Sequence, residues 1–271
     1  MKYLYIACLL LSFCGSIDAQ KIEFAIIVPS YNNEKYVIEN LKSIFDQSYR
    51  NYTVYYYNDH SQDNTGQLAR RYARERKMGK RFVLINNKKQ KGALHNIYTA
   101  IHRLGPKKIV VLVDGDDMLN GQHVLRKLAK VYADKRVWLT YGSYKTSAFQ
   151  CATYCDRIPL SIARKNAYRS YKWASSHLRT FYAKLFHKIR KKDLMWQGKF
   201  LPMAGDLAIM FCLLELASKK HFRYIRDILY VYNTTNPLSD FRKNPQLLAR
   251  LDSVIRKKRP YKPLKYLFQK K

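Results

Sequence analysis

Acidic side chains are scarce in this chain: 19 Asp and Glu stand against 51 Lys and Arg, a formal net charge of +32 over 271 residues. That deficit points to partners carrying negative charge, whether nucleotides, nucleic acids or an anionic membrane. Cysteine is also sparse, at five. Cys8 and Cys14 lie in the first twenty residues, leaving Cys151, Cys155 and Cys212. An odd number without paired metal spacing argues against a zinc site or a disulfide framework, and leaves Cys151 with Cys155 as a candidate pair in an oxidising compartment. There are no internal repeats, and no transmembrane segment follows the first twenty residues. What is present excludes a disordered basic tail: 47% of residues are hydrophobic and 14% aromatic, enough to bury a sizeable core.

The N-terminus reads as a leader. Lys2 precedes an apolar run from Tyr3 to Phe13, and Cys14-Gly15-Ser16-Ile17-Asp18-Ala19 supplies the small residues of a cleavage site. Residues 1–19 are expected to be a signal peptide or membrane anchor, although the run is shorter than the roughly 20 residues of a full span. The chain is accordingly expected to be exported or membrane-anchored, with association from the cytoplasmic side of a membrane as the alternative.

From Phe24 onward, strand and helix patterns alternate. Branched apolar runs at 24–28, 52–57, 81–85 and 108–113 read as buried strands. Helical spacing occupies 34–45, 65–76, 93–104 and 121–132. Regular alternation predicts an α/β fold with a mostly parallel sheet covered on both faces, whose ligands bind beyond the carboxyl ends of the strands. Polar loops follow the strands there. Pro29-Ser30-Tyr31 comes after the first, Asn58-Asp59-His60 after the second, and Asp114-Gly115-Asp116-Asp117 after the run Ile109–Val113.

That last loop gathers acid where the rest of the chain lacks it. Its carboxylates suit Mg²⁺ or Mn²⁺, which bind through one or two carboxylates together with substrate phosphates. A solvated acidic turn capping the next helix is the structural alternative. Asp59 is placed to accept a nucleobase N–H, with Ser30 and Tyr31 offering backbone and ring contacts, and an Asx turn is the plain alternative.

In order, Val28-Pro29-Ser30-Tyr31-Asn32 with Glu34, then Asn58 to Thr65, then Asn87 through Gly92 to Asn96, then Asp114-Gly115-Asp116-Asp117 resemble the successive signatures of the family 2 glycosyltransferases with the GT-A fold. The resemblance covers about 22–235. It implies inverting transfer of a sugar from a nucleotide-sugar donor to an acceptor hydroxyl with Mn²⁺ or Mg²⁺ as cofactor, Asp59 on the base, Asp114 and Asp116 on the ribose and the metal-bound diphosphate, and Asp116 as main metal ligand. Pro29, Ser30, Tyr31, Glu34, Asn96 and Gly115 are carried over as donor-binding positions. His95 stands where the family often has Arg, which weakens the transfer of Asn96.

Inversion needs a base opposite the leaving group. Asp206, in Pro202-Met203-Ala204-Gly205-Asp206, occupies the place of the family's Glu-Asp, with Gly205 for the Glu. A purely structural N-cap is the competing reading. Within Trp173–Phe181, His177 and Arg179 are candidates for diphosphate or acceptor contact, against a plain helix with Leu178, Phe181, Tyr182 and Leu185 inward. Trp196 is a candidate sugar platform or a core residue.

The expected organisation is one GT-A domain in two halves, 22–140 for the nucleotide sugar and 141–235 for the acceptor, followed by a basic tail at 236–271. That tail is read as solvated surface, with contact to an anionic membrane as the alternative. The acceptor is expected to be a hydroxyl of a glycan, lipid or protein. Rival functions are a non-catalytic nucleic-acid- or membrane-binding protein on the same scaffold, and a nucleotidyltransferase, whose Gly-rich N-terminal loop is missing between Pro29 and Glu34.

Overall fold

The computed structural model describes residues 22–147, 155–218 and 220–268. The leader at 1–19 and the Cys151 half of the candidate disulfide lie outside these residues.

The chain runs β1 (Phe24–Ser30), α1 (Val37–Phe45), β2 (Tyr52–Asn58), α2 (Thr65–Glu75), β3 (Phe82–Asn86), α3 (Ala93–His102), β4 (Ile109–Leu112), β5 (Met118–Leu119) and α4 (Val124–Tyr132). It continues through β6 (Leu139–Thr146), α5 (Leu160–Arg164), β7 (Ser176–Tyr182), α6 (Ala183–Phe186), β8 (Met195–Trp196), β9 (Lys199–Phe200), α7 (Gly205–Ala217), β10 (Phe222–Tyr232), α8 (Asp240–Lys243) and α9 (Pro245–Arg256). The main sheet has the order β3-β2-β1-β4-β7-β6-β10-β5. β1 pairs in parallel with both β2 and β4, whereas β7 is antiparallel to β4 and to β6. The chain thus winds outward from β1 to β3, then returns to β4 on the other side, which puts the topological switch point between β1 and β4.

Burial follows the strand period of two. Phe24, Ile26 and Val28 join the core under α1 and α4, and Ala25 and Ile27 join the core under α3 and α7. Both faces of β1 are therefore covered, as a continuous apolar run requires. The resulting α/β sandwich is the expected one.

Two plain readings fail. The helix offered as the alternative for the Trp173–Phe181 stretch does not form: Ser176–Tyr182 is strand β7. Its alternation sends Leu178 to one core cluster and Phe181 to the other, while His177 and Arg179, two residues apart, both line the cleft described below. The basic stretch after Tyr232 is not a free tail either. Helix α7 has eleven consecutive buried residues from Leu207 to Ala217, and a helix apolar all round must be covered on every side. α9 supplies that cover with Leu251 and Ile255, and a strap from Lys257 to Phe268 continues across it, its Leu264 N–H donating to the Leu216 carbonyl. Among the described residues no helix is long and apolar enough to cross a membrane.

Candidate active site

A cleft of about 1210 Å³ opens at the carboxyl ends of β1 and β4. Pro29, Tyr31, Asp59, Asp114, Gly115, Asp116, His177, Arg179 and Asp206 all line it, so residues spread over more than half the chain meet in one cleft. Ser30, Glu34 and Asn96 do not line it. Ser30 is a support, its hydroxyl accepting from Tyr56 Oη at 2.8 Å and Asn33 Nδ2 at 3.0 Å. Glu34 accepts from the backbone and side chain of Asn64, binding the β1 loop to the start of α2. Asn96 is buried and accepts from Asn87 Nδ2 at 2.8 Å.

Asp59 is 3% exposed and saturated with donors: Asn87 Nδ2 at 2.6 Å, Gly92 N–H at 2.8 Å and Lys91 N–H at 3.0 Å. Burial alone would raise its pKa, but the nearby Asn96 amide and the hydrogen bonds from Asn87 and these backbone amides outweigh it and hold the carboxyl below the usual value. Asp59 therefore fastens the 87–92 loop to the edge of the cleft, rather than forming an Asx turn.

The acidic loop is built into the fold rather than left as a solvated turn. Asn40, from α1, donates to the carbonyls of Asp114 and Asp117 at 2.9 and 2.7 Å. Tyr230, near the end of β10, donates to Asp117 Oδ2 at 2.7 Å and accepts from the Asp114 N–H. The Asn233 N–H supplies Asp117 Oδ1 at 2.7 Å, and Asn236 Nδ2 holds Asp116 Oδ2 at 2.6 Å. Sequence reasoning missed Asn40, Tyr230, Asn233 and Asn236, which lie 70 or more positions from their partners and carry no local pattern.

Burial raises the pKa of all three carboxyls. It pushes Asp116 up to about 6, with the Asn236 amide opposing and Asp114 adding to the rise. Asp117 goes well above its ordinary value through burial and the nearby charges of Asp116 and Asp114. Asp114 keeps 36% of its side chain open to the cleft, yet the protein crowding it raises it too, against the pull of Arg179. Such a loop stores unfavourable negative charge that a cation would relieve.

Among the described residues the donor atoms that converge, all within 4.8 Å, belong to Asp114, Asp117 and His177. Asp116, expected as the main ligand, lies outside that trio and has one oxygen on Asn236 Nδ2, while Asp117 has both of its oxygens on protein donors. Burial, and then the Arg179 charge, depress the His177 pKa well below the usual value, which favours a neutral imidazole whose Nδ1 accepts from Arg179 Nη2 at 3.1 Å. Its ring stacks on Tyr230 at 4.3 Å between centroids. Two carboxylates and an imidazole fit a divalent cation.

Arg179 sits at the centre, 4% exposed. It reaches Asp114 Oδ2 at 3.3 Å and His177 Nδ1 at 3.1 Å, and its Nη1 lies 3.0 Å from Asp206 Oδ2. That last pair is an ionic contact without hydrogen-bond alignment, and both Nη1 and Nε are buried atoms lacking a hydrogen-bond partner. Asp206 is not the N-cap: Ala204 holds that position in a left-handed conformation (φ 54°), no side chain caps the helix, and Asp206 stands in its first turn with 39% of its side chain exposed. Gly205 has a packing reason, since a Cβ there would lie 3.3 Å from Leu94 Cβ where α7 meets α3. Trp196 does not line the cleft and carries Arg250 on its ring, whereas Trp173 does line it.

Gly115 has no room for a side chain. A Cβ would lie 2.6 Å from Ser30 Oγ and 2.7 Å from Asn33 Nδ2, atoms locked by the hydrogen bonds above. Gly115→Ala is expected to cost about 1–3 kcal/mol, the usual penalty of overpacking, and to weaken nucleotide binding. Chemical denaturation of the two proteins measures the first, and calorimetric titration the second.

Comparison with known proteins agrees with this fold. Similar solved structures include residues 1–349 of Staphylococcus aureus TarS in complex with UDP-GlcNAc (TM-score 0.63, 18% identity, covering 86% of this chain and 66% of that one). Another is the mannosyltransferase PcManGT from Pyrobaculum calidifontis with GDP-Man and Mn²⁺ (TM-score 0.60, 20% identity, 88% and 66%). Glycosyltransferase GlyG of Streptococcus pneumoniae serotype 4 is 23% identical over 120 residues, which is 44% of this chain and 38% of that protein. The chain thus spans less than two thirds of the length of these relatives. Residues 25–200 match the family described as Glycosyl transferase family 2, and the chain belongs to that family.

Proposed function

We infer that this protein transfers a sugar from a nucleotide-sugar donor to an acceptor hydroxyl with inversion, assisted by a divalent cation. The observation that carries the reading is the convergence of Asp59, the Asp114–Asp117 loop, Arg179 and Asp206 on one cleft at the switch point. The nucleobase would lie beside Tyr31, against the 87–92 loop that Asp59 fastens. Asp114, Asp117 and His177 would hold Mn²⁺ or Mg²⁺, and a cation there would offset charge on the departing diphosphate. Arg179, with Nε and Nη1 unengaged by hydrogen bonds, can turn donors toward the same phosphate oxygens. The acceptor oxygen bonds to the anomeric carbon on the face opposite the diphosphate. The bond from that carbon to the diphosphate breaks, its electron pair leaves with the phosphate, and the acceptor proton passes to the Asp206 carboxylate.

Calorimetric titration of UDP and GDP, with and without Mn²⁺, tests the donor half. Mn²⁺ is expected to tighten binding of at least one of them by tenfold or more, an effect of about 1.4 kcal/mol, and Asp114→Asn is expected to remove most of that gain. Nucleotide binding that ignores the metal in both proteins would sink the metal-diphosphate reading.

A further inference from the structure

The cleft continues past Asp206 into a wall of different chemistry. Trp173, Leu201, Met203 and Ile209 line it together with Leu247 and Leu248 of α9. Arg242 and Lys243 of α8 stand exposed in the same wall, and neither forms an ion pair among the described residues.

Beyond α9, away from the cleft, lies a second set of cations. Along the strap Lys257, Arg259, Lys262 and Lys265 are exposed, while Leu267 is 3% exposed and Phe268 packs edge-on against Tyr182. Cations face water and the apolar side chains face the domain, with Tyr266 the strap's exposed ring. A bilayer would need apolar side chains on the outer face, and one tyrosine does not supply them. DNA would satisfy the charge but has no free sugar hydroxyl along its chain to bring to Asp206. A chain of sugars satisfies both, since a pyranose has an apolar C–H face for an indole and hydroxyls at its edge.

Resting on the transferase reading above, we propose that the acceptor is a polyanionic glycan, a hydroxyl-bearing chain with phosphate or carboxylate groups at intervals. It lays one sugar against Trp173 inside the cleft and its charged groups on Arg242 and Lys243.

The probes are dextran sulfate, neutral dextran of equal length, duplex DNA and phosphatidylglycerol vesicles, titrated at physiological salt into the full chain with Mn²⁺ and UDP or GDP present. Dextran sulfate is expected to bind and neutral dextran not to. Arg242→Gln/Lys243→Gln is expected to weaken dextran sulfate about tenfold, the loss of two exposed charge contacts, while Arg70→Gln/Arg74→Gln, which removes equal charge from the exposed face of α2, changes it less than twofold. Equal losses in the two variants would overturn the proposal, as would DNA or vesicles bound more tightly with the same dependence on Arg242 and Lys243. UDP and GDP binding, read in the same experiments, is the separate readout of the donor site. Its absence would overturn the transferase reading, and this acceptor with it.

Discussion

Asp206→Asn is expected to lower the rate of sugar transfer by about 10²–10⁴-fold while leaving nucleoside diphosphate affinity within a few-fold of the parent. An acceptor hydroxyl attacks poorly until its proton has somewhere to go, and the amide that replaces Asp206 keeps the size of the carboxylate without its basicity. No capping role competes with the proposed one: Ala204 occupies the N-cap of α7, and among the described residues the ionic contact of Asp206 is the 3.0 Å approach of Arg179 Nη1. A structural carboxylate would reveal itself in stability and a donor-binding one in affinity, so single-turnover rates, UDP or GDP titration and thermal melting separate the three roles. Normal turnover by Asp206→Asn would remove it as the base. A fall in donor affinity matching the fall in rate would reassign it to binding.

How much of this site could be read from the sequence depended on distance along the chain. Strands β1 to β4 and the loops after them were legible because each is a short apolar run that ends at turn residues, and the loops then share one edge by topology. β7 was misread because Leu178, Phe181, Tyr182 and Leu185 also fit a helical stripe. In a strand buried on both faces, apolar side chains on either side fill both registers, and the alternation that marks a strand disappears. The supports of the acidic loop were invisible for another reason. Tyr230, Asn233 and Asn236 hold Asp117 and Asp116 from 113 to 120 positions away, across a pairing that only the folded sheet creates. The docking of the basic C-terminal segment had a signal that composition concealed. α7 lacks a polar face, so something had to cover it, and Leu247, Leu248, Leu251 and Ile255 recur at helical spacing among the cations.

That cover is fastened by a buried ion pair, and breaking the pair should be strongly destabilising. Glu215, fully buried near the end of α7, accepts two bonds from Arg169, at 2.6 Å from Nε and 2.9 Å from Nη2. The same two side chains hold the C-terminal segment: Arg169 Nη1 donates to the Ile255 carbonyl at 2.6 Å, and Glu215 Oε2 accepts from the Tyr261 N–H at 3.0 Å. Removing one partner strands the other charge without water, which typically costs about 3–5 kcal/mol. Glu215→Ala would leave the Arg169 guanidinium unpaired between α7 and the strap. At roughly 2–4 °C per kcal/mol for a chain of this size, Tm should fall by about 10 °C. Arg169→Met combined with Glu215→Leu should recover much of that loss, because apolar side chains of similar volume avoid the cost of burying charge, although the bonds to Ile255 and Tyr261 go with them. Lys258, whose Nζ donates to the Asp193 and Met195 carbonyls, should keep part of the strap in place. Thermal denaturation of the parent, the single and the double variant decides the point. A single variant as stable as the parent would mean that α9 and the strap are held by their apolar contacts and not by the pair.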